Sequence, residues 1–280
     1  MTASHWSRWT TISGLRGVPV VAVVPLAGVI GAFGTVRGGL SLSGLAPTLQ
    51  RAFSLGGLRA VALAINSPGG SAVQSSLIAR RIRSLAAEKE VPVFAFSEDV
   101  AASGGYWLAT AADEIHADAA SIIGSIGVIS AGFGFQDLLQ RLGIERRVHT
   151  AGSRKSMLDP FQPENAEDVS RLEALQRDIH EEFKAQVRER RGARLKAQDE
   201  MLFSGEFWSG RRALELGLID GIGDLRTVMQ ARFGAKVKFR VVGTRRGWLS
   251  RRLGLGSRPD WAGHLIEAID ERALWSRYGL

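Results

Sequence analysis

Short apolar runs rich in β-branched residues alternate, along the first half of the chain, with segments whose apolar residues recur at helical spacing. Three runs predict buried strands: Val18–Pro25, Arg59–Ile65 and Val91–Phe96. Two segments predict helices, Ser43–Leu55 and Ser71 to about Lys89, and the second opens with a capping box from Ser71 to Gln74. This alternation predicts an α/β fold with a largely parallel sheet.

The second half of the chain contains a long charged helix. Glu164 to about Arg191 predicts this helix, with one apolar stripe formed by Val169, Leu172, Leu175, Ile179 and Phe183. A loop over Ala151–Pro163 precedes it. The other predicted elements are a strand at Asp113–Ala117, a helix at Phe135–Leu142, a strand at Ile144–Thr150, helices at Ser209–Gly217 and Leu225–Phe233, and a strand at Val237–Val242.

The 280 residues suffice for one large domain with appendages. We predict an N-terminal arm over 1–17, a main domain over 18–243 and a basic amphipathic region over 244–280. The chain has no cysteine, which excludes a disulfide framework, a thiolate nucleophile and a cysteine-based metal site. Its 5 histidines are scattered, so we expect neither a metal nor another cofactor.

Positive charge is concentrated near the C-terminus. Lys236–Leu280 holds ten Lys and Arg against four Asp and Glu, which is +6 of the total +8. Basic residues alternate with Trp and Leu over Arg245–Leu255, and an apolar face follows over Trp261–Leu280. One interpretation is an anchor on an anionic membrane through residues 245–280. The other, slightly favoured, is a subunit-packing or solvated tail, and no nucleic acid is expected as a partner.

The apolar run Val18–Phe33 is interrupted by Pro19, Pro25 and several glycines. It lacks the continuous apolar stretch of a signal peptide or membrane span. We therefore expect a cytoplasmic protein, or one bound peripherally at the inner face of the membrane.

Three glycine-containing turns fall where predicted strands end: Asn66–Ser71, Asp99–Gly105 and Gly124–Gly127. Such turns meet at one edge of a parallel sheet. Ser103 lies where a strand passes into a helix, where backbone N–H groups are free to bind negative charge. The Gly104 N–H and one N–H of the first turn, at Gly70 or alternatively Gly69, could together form an oxyanion hole.

A serine nucleophile needs a base. His116 and His149 lie in strand-like sequence, and the segment around Ser103 lacks the G-x-S-x-G pattern of Ser-His hydrolases. Lysine is the better candidate, because arginine does not lose its proton near neutral pH whereas a desolvated lysine can. Of the 6 lysines, Lys155 is the one in a loop at a predicted strand end.

Five motifs occur in order between Val18 and Phe233: N-S-P-G-G, A-A-S-G-G-Y-W, G-S-I-G-V, R-K-S-M-L-D-P-F and G-R-R-A-L-E-L-G-L-I-D-G. In combination they resemble the signal peptide peptidase A family of serine–lysine peptidases. The resemblance implies a Clp protease/crotonase-like fold, with largely parallel sheets, flanking helices and a long helical extension. It also implies a homo-oligomeric endopeptidase that hydrolyses peptide bonds in hydrophobic or unfolded segments, such as remnant signal peptides.

Matched to that family, Ser103 corresponds to the nucleophile and Lys155 to the general base. Ser125 corresponds to the serine that orients the lysine, and Gly70 and Gly104 to the oxyanion donors. The chain departs from the family in lacking an evident N-terminal membrane helix. It carries one copy of the catalytic unit, so a ring would need several subunits.

Three other readings remain open from the sequence. A crotonase-like acyl-CoA enzyme would use the paired N–H groups but would not need Ser103 and Lys155. A phage-type capsid-processing peptidase would share the motifs and act on a dedicated protein. A silent assembly protein would keep the fold without the chemistry.

Overall fold

The computed structural model describes residues 18–31, 39–243 and 272–280. Within these ranges the chain forms an eight-stranded mixed sheet flanked by helices. The strands are β1 (Val20–Ala27), β2 (Leu58–Ser67), β3 (Val93–Ala102), β4 (Glu114–Ala117), β5 (Ile122–Gly124), β6 (Phe207–Ser209), β7 (Gly221–Ile222) and β8 (Lys238–Val241). The helices are α1 (Leu42–Ala52), α2 (Ala72–Lys89), α3 (Gly104–Ala109), α4 (Gln136–Arg141), α5 (Ala166–Arg191), α6 (Asp199–Leu202), α7 (Gly210–Glu215) and α8 (Leu225–Phe233). The predicted α/β class is confirmed.

The strand order is β6-β5-β3-β2-β1-β8, with β4 paired to β3 and β7 paired to β4. Among these pairs, β5 with β6 is antiparallel and the others are parallel. Because parallel strands are joined by crossovers, the carboxyl ends of β2, β3 and β5 meet at one edge. The three glycine-containing turns follow these strands, so the sheet brings them together as predicted.

Apolar residues cover both faces of the sheet. The larger cluster packs α1, α2 and α3 on one face, around Leu63, Ile65 and Ile82. The smaller cluster packs α8 on the other face, through Phe94 and Met229. Central strands buried on both sides need continuous apolar sequence, which explains the runs in β1 and β2.

The prediction for the third strand was too short. It ended at Phe96 because Ser97-Glu98-Asp99 is polar, but β3 continues to Ala102. The pairing with β2 shifts register here, and the Asn66 side chain holds the irregular stretch. Asn66 donates to Asp99 at 2.7 Å and accepts from the Val100 N–H at 3.3 Å. A β-bulge therefore interrupts the alternating pattern of β3, and the pattern does not predict the second half of the strand.

The strand predicted at Ile144–Thr150 is wrong, since residues 144–150 have no ladder partner among the described residues. They belong to residues 129–165, which we call the excursion. Nine large apolar residues are exposed in it: Ile129, Phe133, Phe135, Leu138, Leu142, Ile144, Val148, Met157 and Leu158. The branched residues that suggested a strand are thus unburied in the single chain.

The predicted stripe of α5 is buried only near its C-terminal end. Phe183 is buried and stacks on Trp107 with ring centroids 4.6 Å apart, and Val187 is fully buried. Leu175 is 55% exposed, so the N-terminal half of the helix extends beyond the core with the excursion.

The predicted arm at 1–17 and residues 244–271 of the basic region lie outside the described residues. In the part of the chain that the structure describes, no helix is long and apolar enough to cross a bilayer.

Candidate active site

Ser103 sits between β3 and α3 in a backbone conformation that side chains rarely adopt. Its φ of 51° and ψ of −122° are characteristic of glycine, and such strain costs on the order of 1–3 kcal/mol. The Ser103 N–H donates to the Gly124 carbonyl at 2.8 Å, which ties the turn to the end of β5. Because strained backbone persists only where the surrounding structure holds it, contacts with neighbouring segments fix this turn.

The turn after β2 packs directly against Ser103, and the approach requires glycine. A Cβ on Gly69 would lie 2.7 Å from the Ser103 Cβ and 2.9 Å from the Gly104 nitrogen. A Cβ on Gly104 would lie 2.5 Å from the Ser75 Oγ. The Gly-Gly pairs of the two motifs therefore interlock at the edge of the sheet.

The backbone bonds of this turn favour Gly70 over Gly69 as an oxyanion donor. Ile30 donates to the Gly69 carbonyl and accepts from the Ser71 N–H, both at 2.8 Å, so the Gly70 peptide groups face away from Ile30. The Gly69 N–H donates to the Ser67 Oγ at 3.2 Å. The Gly70 N–H finds no acceptor within the described ranges.

The Gly104 N–H is the second free donor. It starts α3, where no earlier turn of helix supplies a carbonyl. No described residue accepts from it, so neither of the two predicted donors has an acceptor within the described ranges.

Ser125 lies in the turn directly after β5 and is 5% exposed. Its N–H donates to the Glu206 carbonyl at 2.7 Å, and its φ of 52° is again in the left-handed region. Because the preceding residue Gly124 accepts from the Ser103 N–H, Ser125 is held next to the strand end that carries Ser103.

Lys155 is not brought to this cluster. It is exposed in a turn of the excursion, and no side-chain hydrogen bond joins it to Ser103 or Ser125 among the described residues. The turn is anchored at its base by Asp159, whose side chain is 5% exposed and pairs with Arg146 at 2.8 Å. Arg146 also lies over the Phe161 ring at 4.6 Å. Asp159-Pro160-Phe161, the end of the motif R-K-S-M-L-D-P-F, thus help to fix the conformation of the loop that carries Lys155.

The two histidines considered as bases are placed elsewhere. His116 is buried, stacks on Phe96 and contacts Glu114 at 3.1 Å. Burial raises the pKa of Glu114, but hydrogen bonds from His116 and Arg232 outweigh it and the net pKa is lowered. His149 is exposed in the excursion. Neither hydrogen-bonds to Ser103 in the described ranges.

A buried polar network supports α3 from below. The Tyr106 hydroxyl donates to the Leu218 carbonyl at 2.7 Å, and burial raises the Tyr106 pKa. Arg191, with a side chain 2% exposed, pairs with Asp220 at 2.7 Å. Asp220 also accepts from the Ile115 N–H at 2.7 Å. The later motif G-L-I-D-G therefore stabilises the fold around α3 through these polar contacts.

The sequence does not predict the supporting roles of two residues, Asn66 and Ile30. Asn66 secures the bulge that leads to Ser103, whereas its motif by itself predicts only N–H donors. Ile30 orients Gly70 through an isolated β-bridge, from beyond the end of β1, and no local pattern predicts that contact.

A strained serine on a strand-to-helix turn, beside free backbone N–H groups, is the arrangement of serine hydrolases that proceed through a tetrahedral intermediate. Residues 86–238 match the model of peptidase family S49. The chain belongs to this family, and the resemblance to signal peptide peptidase A is confirmed.

The chain is 52% identical over 272 residues to the Na(+)/H(+) antiporter NhaA of Brucella abortus, covering 93% of this chain and 37% of that protein. It is 35% identical over 171 residues to the chloroplastic serine protease SPPA of Arabidopsis thaliana, covering 60% of this chain and 24% of that protein. The chain thus spans well under half of either relative.

Among solved structures, the chain resembles a lysine-to-alanine mutant of the 1510-N membrane-bound stomatin-specific protease in complex with a substrate peptide. The TM-score is 0.52 at 17% identity, covering 91% of this chain and 99% of that chain. This likeness confirms the predicted fold.

Proposed function

We propose that this protein is a serine endopeptidase in which Ser103 is the nucleophile and Lys155 the general base. The observation that carries the proposal is the strained Ser103 turn, packed against Gly69, with the N–H groups of Gly70 and Gly104 lacking an acceptor among the described residues. A fold that needed Ser103 only as a linker would relax this backbone. The substrate is a peptide or protein, with hydrophobic or unfolded segments as the class expected from the family.

The chemistry is acyl transfer. Neutral Lys155 takes the proton of the Ser103 Oγ as the oxygen attacks the peptide carbonyl carbon, and the oxyanion accepts hydrogen bonds from Gly70 and Gly104. The protonated lysine then gives its proton to the leaving amine as the C–N bond breaks. Water, deprotonated by the lysine, then attacks the acyl ester, the C–O bond to Ser103 breaks, and the lysine returns the proton to the Ser103 Oγ. Ser125 orients the amine. Because the base acts uncharged, activity should rise with pH above neutral.

We infer further that the Ser103–Lys155 pair forms when copies of the chain assemble. Lys155 is exposed in the single chain, and the excursion that carries it exposes nine large apolar residues. An exposed apolar surface of this extent marks an interface. Packing of the excursion against a second copy would bury these residues and place Lys155 in a water-poor pocket.

A fluorophosphonate probe tests the dyad, with mass spectrometry locating the label. We expect labelling at Ser103 in the wild type and its loss in Lys155→Ala. Peptide-library cleavage, with Ser103→Ala as blank, then gives the side-chain preference. Labelling of Ser103 that persists in Lys155→Ala would contradict the dyad. No labelling at Ser103 in the wild type would favour the acyl-CoA enzyme or the silent assembly protein.

Leu138→Glu tests assembly. Leu138 is 51% exposed, so the change should cost a free-standing chain less than about 0.5 kcal/mol. If the excursion is an interface, the variant should lose both its oligomer in light scattering and the Ser103 label. Unchanged mass and labelling would contradict the inference, and Glu145→Lys, a charge change on an already charged exposed residue, is the control.

The antiporter name of the Brucella relative is not carried over to this chain. The match covers 37% of that protein, and the family model that this chain matches is that of a peptidase.

Binding of residues 245–280 to anionic lipid stays a prediction, because 244–271 lie outside the described residues. Liposome co-sedimentation that is unchanged by deleting 244–280 would contradict it.

A further inference from the structure

Between two aligned pairs of the sheet, β3 contains more residues than β2. Ile65 pairs with Ser97 and Ser67 pairs with Ala101, so β2 advances by two residues where β3 advances by four. The regular ladder between the two strands is interrupted over this stretch. The turns of the candidate site follow directly, since Ser103 comes two residues after Ala101. The way in which the extra residues are held therefore sets the position of these turns.

The side chain of Asn66 replaces the missing ladder contacts. Its Oδ1 accepts from the Val100 N–H at 3.3 Å, and its Nδ2 donates to the Asp99 carboxylate at 2.7 Å. Its backbone carbonyl accepts from the Gly28 N–H at 2.9 Å. Asn66 therefore links β2 to β3 and to the end of β1, directly before the chain enters the two turns.

The turns pack against each other with little free space. A Cβ on Gly105 would lie 2.5 Å from the Ser67 carbonyl oxygen, and a Cβ on Gly69 would lie 2.7 Å from the Ser103 Cβ. Because such contacts fit one register, a change in how β3 passes Asn66 would displace Ser103 relative to the two N–H donors. One residue along a strand is about 3.3 Å, whereas a misplacement of about 1 Å is enough to reduce catalysis by about 10²-fold.

We propose that Asn66, paired with Asp99, is a positioning residue that aligns Ser103 with the proposed oxyanion donors. The proposal rests on the proposed peptidase function. A side-chain amide fits this place because it accepts from an N–H on one side and donates to a carboxylate on the other. Neither contact involves the Ser103 hydroxyl, so Asn66 acts through the backbone of β3.

Exchanging the two side chains separates the pairing from the residues themselves. Asn66→Asp keeps an acceptor for the Val100 N–H but places a second carboxylate opposite Asp99, and the two like charges repel. In the double variant Asn66→Asp/Asp99→Asn, the new carboxylate accepts from both the Val100 N–H and the amide at position 99. Because Asn and Asp have the same shape, these variants keep the packing volume and change only the pairing.

The experiment measures saturation labelling by an alkyl fluorophosphonate, in which the bond from the Ser103 Oγ to phosphorus forms and fluoride leaves. The maximal rate constant reports the alignment of the reacting groups, and the half-saturating concentration reports binding of the probe. We expect the rate constant to fall by about 10²-fold in Asn66→Asp and Asn66→Ala, with the half-saturating concentration unchanged within about twofold. In the double variant it should return to within about threefold of the wild type.

Asp224→Ala is the matched control for a loss of stability remote from the turns. Asp224 caps α8 by accepting from the Arg226 and Thr227 N–H groups at 2.9 and 3.0 Å. Its removal should lower the melting temperature by about 2–4 °C and leave the labelling rate constant unchanged. Circular dichroism gives the melting temperature of every variant. If Asn66→Ala does not fold, Asn66→Asp and the double variant carry the test.

The outcomes separate this proposal from the peptidase assignment. Rate constants within about threefold of the wild type in both single Asn66 variants would overturn the positioning role. A double variant that is labelled no faster than Asn66→Asp would overturn it too, as would an equal loss of rate in Asp224→Ala. Each of these results leaves the labelling of Ser103 in the wild type intact. Absence of label on Ser103 in the wild type would instead refute the peptidase function, and the positioning role with it.

Discussion

The strand-end cluster around Ser103 and the excursion that carries Lys155 are built in opposite ways. Ser103, Gly70, Gly104 and Ser125 lie on turns fixed by strand register, close glycine contacts and backbone hydrogen bonds. The excursion instead exposes most of its large apolar residues and is tied mainly by a local contact between Arg146 and Asp159. A single chain thus builds the proposed nucleophile and oxyanion donors, whereas the proposed base, Lys155, is exposed in it.

Lys155→Ala should sharpen this contrast most strongly. If Lys155 is the base, peptide hydrolysis should fall by about 10³-fold or more, since the dyad acts as a unit. Because the side chain is exposed in the single chain, the free energy of unfolding should change by less than about 0.5 kcal/mol. Steady-state hydrolysis and urea unfolding measure the two. Arg154→Ala is the neighbouring control, and equal activity losses in both variants would argue for general disruption of the loop.

Asp220→Asn tests the packed side of the comparison. It leaves the nearly fully buried Arg191 without its counter-charge, which should cost about 3–5 kcal/mol of unfolding free energy. Arg212→Ala, which breaks an exposed pair with Glu215, should cost less than about 1 kcal/mol in the same urea titration. Similar values for the two would show that the Arg191–Asp220 pair contributes no more than a surface pair.

The same carboxylate predicts a direction with pH. Burial acts to raise the pKa of Asp220, but the hydrogen bond and charge of Arg191 outweigh it, so the net pKa is lowered. A lowered pKa stabilises the fold above the unfolded value, about 3.9 for Asp, and this contribution is lost as pH falls through the folded value. Stability of the wild type should therefore decline below about pH 4 more steeply than that of Asp220→Asn.

Two residues of α5 compare the regions within one helix. Phe183→Ala removes a ring stacked on Trp107 and should cost about 3–5 kcal/mol. Leu175→Ala, at a position 55% exposed, should cost less than about 0.5 kcal/mol in dilute protein. A larger cost for Leu175→Ala that grows with protein concentration would place this part of α5 in a subunit interface.

Ser103→Gly should change stability in the opposite direction. Glycine relieves the strain at φ 51°, and after its larger chain entropy is subtracted the protein should gain about 1 kcal/mol in stability. Hydrolysis should be absent. Ser103→Ala keeps the strain and is the reference. If Ser103→Gly is no more stable than Ser103→Ala, the backbone at this position is not strained.

The sequence alone was enough to predict the class of fold and the position of the three glycine-containing turns at strand ends. This succeeded because β1, β2 and the start of β3 are continuous apolar runs and because turn residues with unusual backbone angles are chemically restricted. It failed where local pattern and tertiary context disagree. The bulge in β3 interrupts the strand period, and the branched residues at 144–150 look like a strand but find no partner among the described residues.

What only the tertiary structure decided are the relations between distant segments. The choice of Gly70 over Gly69 as the supported donor follows from Ile30, which no local motif includes. The position of Tyr278 beside Ala102 depends on how the C-terminus returns to the sheet, and the exposure of Lys155 depends on what the excursion can pack against. The sequence determines residue types and local backbone geometry, but which residues are buried depends on the packing of segments that are distant in the chain.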